Sequence, residues 1–492
     1  MNKTLDEQGF RDPSKPLPPK GARIHLLGIC GTGMAGLAGI LKQMGFNVTG
    51  SDENLYPPMS DMLHRLGIPV TEGYSPDHLE PEPILVVVGN VIRKDNPEVR
   101  AVIDREIPYM SLPQAISHFC LETRVPLVVA GTHGKTTTSS MLVSVLKEDS
   151  WNPGFLIGGI LHLNNAGFDF GEPPWFVVEG DEYDSSFFDK RPKFMHYIPD
   201  ALLLTSLEFD HADIYKDIDE IYDAFRKLVR KLPSVGVLVA CSDWPKILDL
   251  IEEAPCLVMT YGTRPDAAWR LEDLAITDKG TSFSVYYLNK FWGRVSIPLT
   301  GEHNALNALG VIAVSHWLGA MPEAVRQGLA KCKGVKRRQE LLGDIGGVKV
   351  IDDFAHHPTA VRETLKALRS AYRPKRLIAV FEPRTNTSRR SCFQDDYAKS
   401  LSEADIIYVR EVPNPEKAPT NDRFSSSRLV DALEARGRYA YLLSDGREIC
   451  SRLLEDCLPG DMIVILSNGP FEGLGKCLVS GLEDKINKEN IG

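Results

Sequence analysis

Short apolar runs bounded by glycine or polar residues recur along this chain, and stretches of helical period fill the gaps between them. Residues 23–28 read as a buried strand, followed by a glycine-rich turn and a helix from about 34 to 44. Residues 46–50 form the next strand, ending at Ser51-Asp52, then come a helix over 59–66 and a continuously apolar strand at 84–88. A second strand–loop–helix begins at 126–130, with its helix running to about Lys147. Apolar strands follow at 175–178, 201–204, 237–240 and 257–260, and the alternating pattern of 268–298 predicts an antiparallel insertion. After Gly334, strands are expected at 348–351, 376–381, 406–409 and 462–466. Strands alternating with helices specify parallel βαβ units. The expected architecture is α/β with three consecutive domains: a Rossmann-like domain over 21–120, a central P-loop ATPase-like domain with the antiparallel insertion over 121–330, and a second Rossmann-like domain over 331–492. Residues 1–20, polar and proline-rich, read as a lead-in.

The length of 492 residues agrees with that division at roughly 150 residues per domain. A formal charge of -10 lacks the basic surplus usual in a nucleic-acid binder, while leaving room for a local basic pocket for phosphates. No run approaches the ~20 apolar residues needed to span a bilayer, and the N-terminus lacks the apolar core of a signal peptide. A cytoplasmic protein with no membrane contact and no evident obligate protein partner is expected. The nine cysteines contain no C-x-x-C pair and are odd in number, which predicts reduced thiols rather than a disulfide framework or a zinc site.

The most informative turn is Gly131-Thr132-His133-Gly134-Lys135-Thr136-Thr137, between a strand and a helix. Glycines there let backbone N–H groups close around phosphate oxygens, and the helix N-terminus adds partial positive charge. Lys135 is placed to reach the β/γ-phosphates of ATP, and the Thr136 hydroxyl to bind magnesium. The loop is shorter than the common P-loop, because position 129 is Val where that pattern has glycine. An exposed lysine in a tight βα turn is the bland alternative. The first turn contains Gly31-Thr-Gly33-Met-Ala-Gly36, with Asp52 at the end of the next strand. Glycines that admit a pyrophosphate and an acid that reaches a ribose would serve a dinucleotide or a UDP-linked substrate. Glycines needed only for helix–strand packing are the structural alternative.

Glu179-Gly-Asp181-Glu182 and Glu208-Phe-Asp210-His211 place carboxylates and an imidazole just past two apolar strands. Hard oxygen ligands beside a phosphate loop suit magnesium, although a charge run is commonly a solvated loop. These blocks, together with Gly301-Glu-His303-Asn304-Ala-Leu-Asn307, Gly334-Val-Lys-Arg337-Arg338 and Asp352-Asp353-Phe-Ala-His356-His357-Pro358, resemble the Mur ligase family in order and spacing over residues 23–475. The resemblance implies an ATP-dependent ligase forming an amide bond through an acyl phosphate, with ATP and Mg2+ as cofactors. It implies Lys135, Glu179, His211 and Arg338 as catalytic residues and Thr136, Glu179 and His211 as metal ligands. ATP would also meet Gly131, Thr132, Gly134, Thr137, Asn304, Asn307 and Asp353, with the choices between Arg337 and Arg338 and between Asp352 and Asp353 left open. Gly31, Gly33, Gly36 and Asp52 would hold the UDP moiety. Within the family the chain resembles the branch that uses UDP-N-acetylmuramate, whose acceptor is either L-alanine or the tripeptide L-alanyl-γ-D-glutamyl-meso-diaminopimelate. Phe381-Glu-Pro-Arg384-Thr-Asn386-Thr387 favours the tripeptide, with Arg384 and Asn386 as candidate peptide contacts. Two readings of another class are an NAD-dependent dehydrogenase built on the first glycine turn and a nucleotide-binding regulator without turnover.

Overall fold

The computed structural model describes residues 17–489 apart from Tyr56; most of the expected lead-in lies outside that range. Three sheets follow one another along the chain. The first is entirely parallel and comprises β1 (Arg23–Leu27), β2 (Asn47–Asp52), β3 (Val70–Glu72), β4 (Leu85–Val88) and β5 (Tyr109–Ser111), in the order β3-β2-β1-β4-β5. Its first crossover is the helix Thr32–Gln43.

The second sheet has ten strands: β6 (Val125–Ala130), β7 (Gly154–Leu156), β8 (Phe168–Asp169), β9 (Trp175–Gly180), β10 (Ala201–Leu204), β11 (Val237–Cys241), β12 (Leu257–Gly262), β13 (Trp269–Thr277), β14 (Gly280–Tyr287) and β15 (Lys290–Ile297). β6 lies between β9 and β10, parallel to both. The chain leaves β6 toward the β9 side and returns on the β10 side. The carboxyl end of β6 is therefore a topological switch point, where open α/β sheets form their ligand crevices. The antiparallel insertion extends this sheet through the ladder β13-β14-β15.

The third sheet comprises β16 (Glu340–Ile345), β17 (Val348–Asp353), β18 (Arg376–Phe381), β19 (Ile406–Arg410), β20 (Tyr439–Leu443) and β21 (Asp461–Leu466), ordered β16-β17-β21-β18-β19-β20 and parallel except for β16. Separate apolar clusters cover its two faces. The first two sheets share one continuous core, because the helix Thr32–Gln43 packs onto the β7–β8 hairpin. Phe209, from the loop after β10, packs against Phe393 and the core of the third sheet.

The expectation of reduced thiols is corrected at one pair: Cys450 and Cys477 form a disulfide, Cα–Cα 6.4 Å. The helices Gly446–Asp456 and Leu474–Glu489 pack side by side on one face of the third sheet and bring the two together. A separation of 27 residues leaves no local signal for that pairing. The other seven cysteines are free. Among the described residues, no helix is long and apolar enough to cross a membrane.

Candidate functional site

The turn after β6 is fixed by two glycines with left-handed backbone, Gly131 at φ +136° and Gly134 at φ +81°. A Cβ at Gly131 would lie 2.3 Å from Thr205 Oγ1, and one at Gly134 would lie 2.7 Å from Asn307 Oδ1. The loop is tied to the strand tip of β10, where His133 N–H donates to Ser206 Oγ (2.8 Å) and Glu208 N–H to Thr132 Oγ1 (3.1 Å). The 14-residue helix Lys135–Glu148 then starts with no acid in its first turn, so its N–H groups remain available for an anion.

Lys135 Nζ donates to the Gly131 carbonyl (2.6 Å) and to both oxygens of Glu182 (2.9 and 3.1 Å). Glu182 is fully buried. Burial works against both charges, but their mutual attraction prevails: Lys135 is held above its ordinary pKa and Glu182 below its own. Glu179, at the end of β9, accepts from Gly158 N–H (2.8 Å) and from Thr136 Oγ1 (3.2 Å), and burial raises its pKa. His211 Nε2 lies 3.1 Å from Glu182 Oε1. Burial opposes a charge there, yet the Glu182 hydrogen bond and Asp210 outweigh it and lift His211 to about 9. Asp181 pairs with Lys193 at 2.6 Å.

The three residues expected to hold magnesium thus fall into two neighbouring groups. Thr136 and Glu179 converge on each other, while His211 faces Glu182, with ligand atoms of Asp181, Glu182 and His211 all within 4.8 Å. Carboxylate and hydroxyl oxygens dominate both groups, and that donor chemistry fits a hard divalent cation.

A cavity of about 170 Å³ adjoins the loop, lined among others by Thr136, Asn304, Asn307, Arg338 and Asp353. Asn304 donates to Thr300 O (2.8 Å) and Asn307 to Asn304 Oδ1 (3.4 Å), so each spends part of its capacity within its own helix. The adjacent arginines differ sharply. Arg337 is committed to Asp352 (2.9 Å) and to the carbonyls of Ser467 and Gly469 (2.7 Å each). Arg338 makes no hydrogen bond or ion pair among the described residues and lies over the Phe354 ring at 4.7 Å. Asp353 accepts from the N–H groups of Gln339 and Ala355 (2.7 Å each), and burial lifts its pKa to about 6.

In the first turn, Asp52 accepts from Cys30 N–H (2.9 Å) and Asn54 N–H (3.2 Å), bracing the loop. A Cβ on Gly31 would meet nothing closer than 3.5 Å, and one on Gly33 would sit 3.1 Å from Leu112. A Cβ on Gly36 would lie 2.4 Å from Leu156, so that glycine serves packing of the helix against β7. Arg384 and Asn386 line a second cleft, of about 680 Å³, between the central and third sheets. Asn386 donates to Asp213 Oδ2 (2.8 Å), and Arg384 lies over Gly469.

Sequence reasoning missed Glu182 as the partner of Lys135, although it stood in the acidic run. It also missed the bridge from His133 to Glu208 (2.8 Å) and on to Thr359 (3.0 Å), which joins the phosphate loop to the third domain. His357, whose ring lies tilted against that of His133 at 4.5 Å between centroids, belongs to the same bridge.

A shortened phosphate loop at a switch point, with buried carboxylates beside it and a third domain supplying an arginine, defines a multidomain nucleotide-dependent ligase. Three family profiles match in succession: "Mur ligase family, catalytic domain" over 23–124, "Mur ligase middle domain" over 129–315 and "Mur ligase, glutamate ligase domain" over 337–469. The chain belongs to the Mur ligase family. It is 40% identical to the UDP-N-acetylmuramate–L-alanyl-γ-D-glutamyl-meso-2,6-diaminoheptandioate ligase of Escherichia coli K12, over 94% of this chain and 99% of that one. It is 32% identical to the UDP-N-acetylmuramate–L-alanine ligase of Acetivibrio thermocellus, over 95% and 97%. The crystal structure of a murein peptide ligase from Psychrobacter arcticus superposes with a TM-score of 0.73 at 34% identity, covering 94% of this chain and 99% of that one. These matches exclude the dehydrogenase reading.

Proposed function

We propose that this protein joins the tripeptide L-alanyl-γ-D-glutamyl-meso-diaminopimelate to UDP-N-acetylmuramate at the cost of ATP, in peptidoglycan recycling in the cytoplasm. The observation that carries this reading is the ranking of relatives: 40% and 37% identity to two ligases named for that tripeptide, against 31–33% for ligases named for L-alanine. In this reading residues 21–120 hold the UDP-sugar through Gly31, Gly33 and Asp52, residues 121–330 hold ATP, and residues 331–492 bring the acceptor.

A carboxylate does not acylate an amine unaided. The lactoyl carboxylate attacks the γ-phosphorus of ATP, ADP leaves, and the peptide's free α-amine then attacks the acyl carbon and expels phosphate. Thr136 and Glu179, with His211 from the adjoining group, would hold Mg2+, which neutralises phosphate charge when bound. Lys135, released from Glu182 by an incoming phosphate, and Arg338, which makes no hydrogen bond or ion pair among the described residues, supply the remaining positive charge. The Gly131–Thr137 backbone and the helix N-terminus bind the phosphates, and Asn304, Asn307 and Asp353 line the nucleotide cavity. Closure of the third domain excludes water.

The test is phosphate release from ATP and UDP-N-acetylmuramate with either acceptor. Release with the tripeptide and not with L-alanine supports the proposal; release with L-alanine alone overturns it in favour of the alanine-adding reaction.

A further inference from the structure

The bridge between the phosphate loop and the third domain contains a cluster that the chemistry above does not use. His133 comes from the phosphate loop, Glu208 from the loop after β10, and His357 from the start of the helix Pro358–Tyr372. Each offers a ligand atom, and these atoms all lie within 4.8 Å of one another. The two oxygens of Glu208 have different tasks. Oε1 accepts from Thr359 Oγ1 (3.0 Å), while Oε2 faces His133 Nε2 at 2.8 Å and His357 Nδ1 at 3.8 Å. Burial opposes the charge, but His133, His357 and Thr359 outweigh it and hold Glu208 below its ordinary pKa. The His357 ring donates from Nε2 to Phe209 O (3.1 Å) and accepts Thr359 N–H at Nδ1 (3.3 Å), which makes it the neutral tautomer with its lone pair on Nδ1. That lone pair and a carboxylate oxygen therefore face each other across 3.8 Å with no proton between them. Two electron-rich atoms so placed, with a second imidazole beside them, form a pocket for a cation.

We propose that His133, Glu208 and His357 form a transition-metal site, best suited to zinc, that clasps the phosphate loop to the third domain. The site goes beyond the ligase reading and holds whichever acceptor the enzyme takes. Donor chemistry separates it from the magnesium groups. Two imidazole nitrogens and one carboxylate suit Zn2+, whereas Thr136 and Glu179 offer oxygens alone, the donors that magnesium takes. Two histidines and one glutamate leave the fourth corner of the zinc tetrahedron to water. Bonds of about 2.1 Å in that geometry set ligand atoms about 3.4 Å apart. That spacing lies between the 2.8 and 3.8 Å found around Glu208 Oε2, so small side-chain shifts seat the ion. The outer supports of such a site are present as well: the second ring N–H of His357 is held by a backbone carbonyl, and the second oxygen of Glu208 by a hydroxyl. Zinc takes His133 at Nε2, with the ring proton moved to Nδ1, and replaces the long Thr359 contact at His357.

The experiment titrates the chelator-stripped full chain with cobalt(II), whose visible absorption reports nitrogen coordination, in excess Mg2+ to fill the oxygen-rich groups. The expected result is one tight equivalent that zinc displaces, unchanged in Glu179→Gln and His211→Asn. Glu208→Gln and His357→Asn should each weaken cobalt binding at least about ten-fold. Thermal unfolding without metal checks that each variant is folded. Glu208 is only half-buried, so Glu208→Gln carries the test if His357→Asn fails to fold. Zinc should also raise the Tm of the wild type and leave that of Glu208→Gln where it was. No visible bands, binding that survives Glu208→Gln, or binding lost in His211→Asn overturns the site. Turnover is not read in this titration, so its failure and a failure of the ligase reading are separate results.

Discussion

The two glycine-rich turns begin alike and end in different chemistry. Each follows a parallel strand at the middle of its sheet, β1 in one and β6 in the other, and each opens a helix. Around the first, Asp52 is the nearby acid and it is spent on the backbone N–H of Cys30. Around the second, Lys135, Glu179, Glu182 and His211 crowd together. The register explains the difference. Glu179 pairs across the ladder with Val129 at the end of β6, so the acidic run beyond it surrounds the phosphate loop. The corresponding neighbour of β1 ends at Val88 opposite Leu27 and continues into Gly89, without charge. One βα turn therefore suits a neutral grip on a diphosphate and the other suits phosphoryl transfer, and the neighbouring strand tips decide which.

The sharpest way to break this contrast is Lys135→Met. Turnover should fall at least about 10³-fold in a phosphate-release assay, because the charge opposite the transferring phosphoryl group is gone. The same change leaves Glu182 buried with only His211 beside it, and breaking a buried pair costs about 3–5 kcal/mol. Lys135→Met/Glu182→Gln should regain most of the lost Tm and none of the turnover. A double variant that recovers activity would show that Lys135 serves the fold alone.

The contrast was half visible in the sequence. β10 and β18 fall where the apolar runs predict them, and both turns sit at strand ends as expected. Edge strands escaped notice: β3 and β5 have three residues each, β16 has no fully buried residue and β20 is largely exposed, so their apolar pattern is weak. Motif spacing found the charged residues but not their partners. Which of Arg337 and Arg338 is free depends on Asp352 and on carbonyls about 130 residues away, at Ser467 and Gly469. That information exists only once the third sheet has closed.

The first turn's helix is tied to the central domain, whereas the phosphate loop is tied to the third through His133, Glu208 and Thr359, and pH should expose that second tie. His357 donates from Nε2 to Phe209 O (3.1 Å) and accepts Thr359 N–H at Nδ1 (3.3 Å), an arrangement open only to the neutral ring. Burial, with His133 adding to it, lowers its pKa to about 4. The unfolded chain, near 6.5, takes up the proton first as pH falls. Stability is then complete above about 6.5 and lost progressively below, by about 3 kcal/mol at pH 4. Burial pushes His303 down to about 4 as well, so denaturant midpoints between pH 7 and 4 should show both contributions, and His357→Asn should remove only its own share of the slope.

At the first turn the helix glycines are structural, and Gly39→Ala tests that. Its Cβ would meet the Phe168 ring at 2.1 Å. Overpacking against a stiff ring should cost about 1–3 kcal/mol in thermal unfolding, with KM for UDP-N-acetylmuramate unchanged in the surviving enzyme.

The smallest effect should come from Asp52→Ala, and it separates the turns most cleanly. The loss of its hydrogen bonds to Cys30 and Asn54 leaves those N–H groups to solvent or to one another, at about 1 kcal/mol. If the braced loop holds the UDP-sugar, KM for that substrate should rise about five-fold, while the KM for ATP and the Tm contribution of the Lys135–Glu182 pair stay where they were. A change in ATP affinity of similar size would mean that the two turns share a ligand or a motion. The contrast drawn from their neighbouring strand tips would then describe two halves of one site.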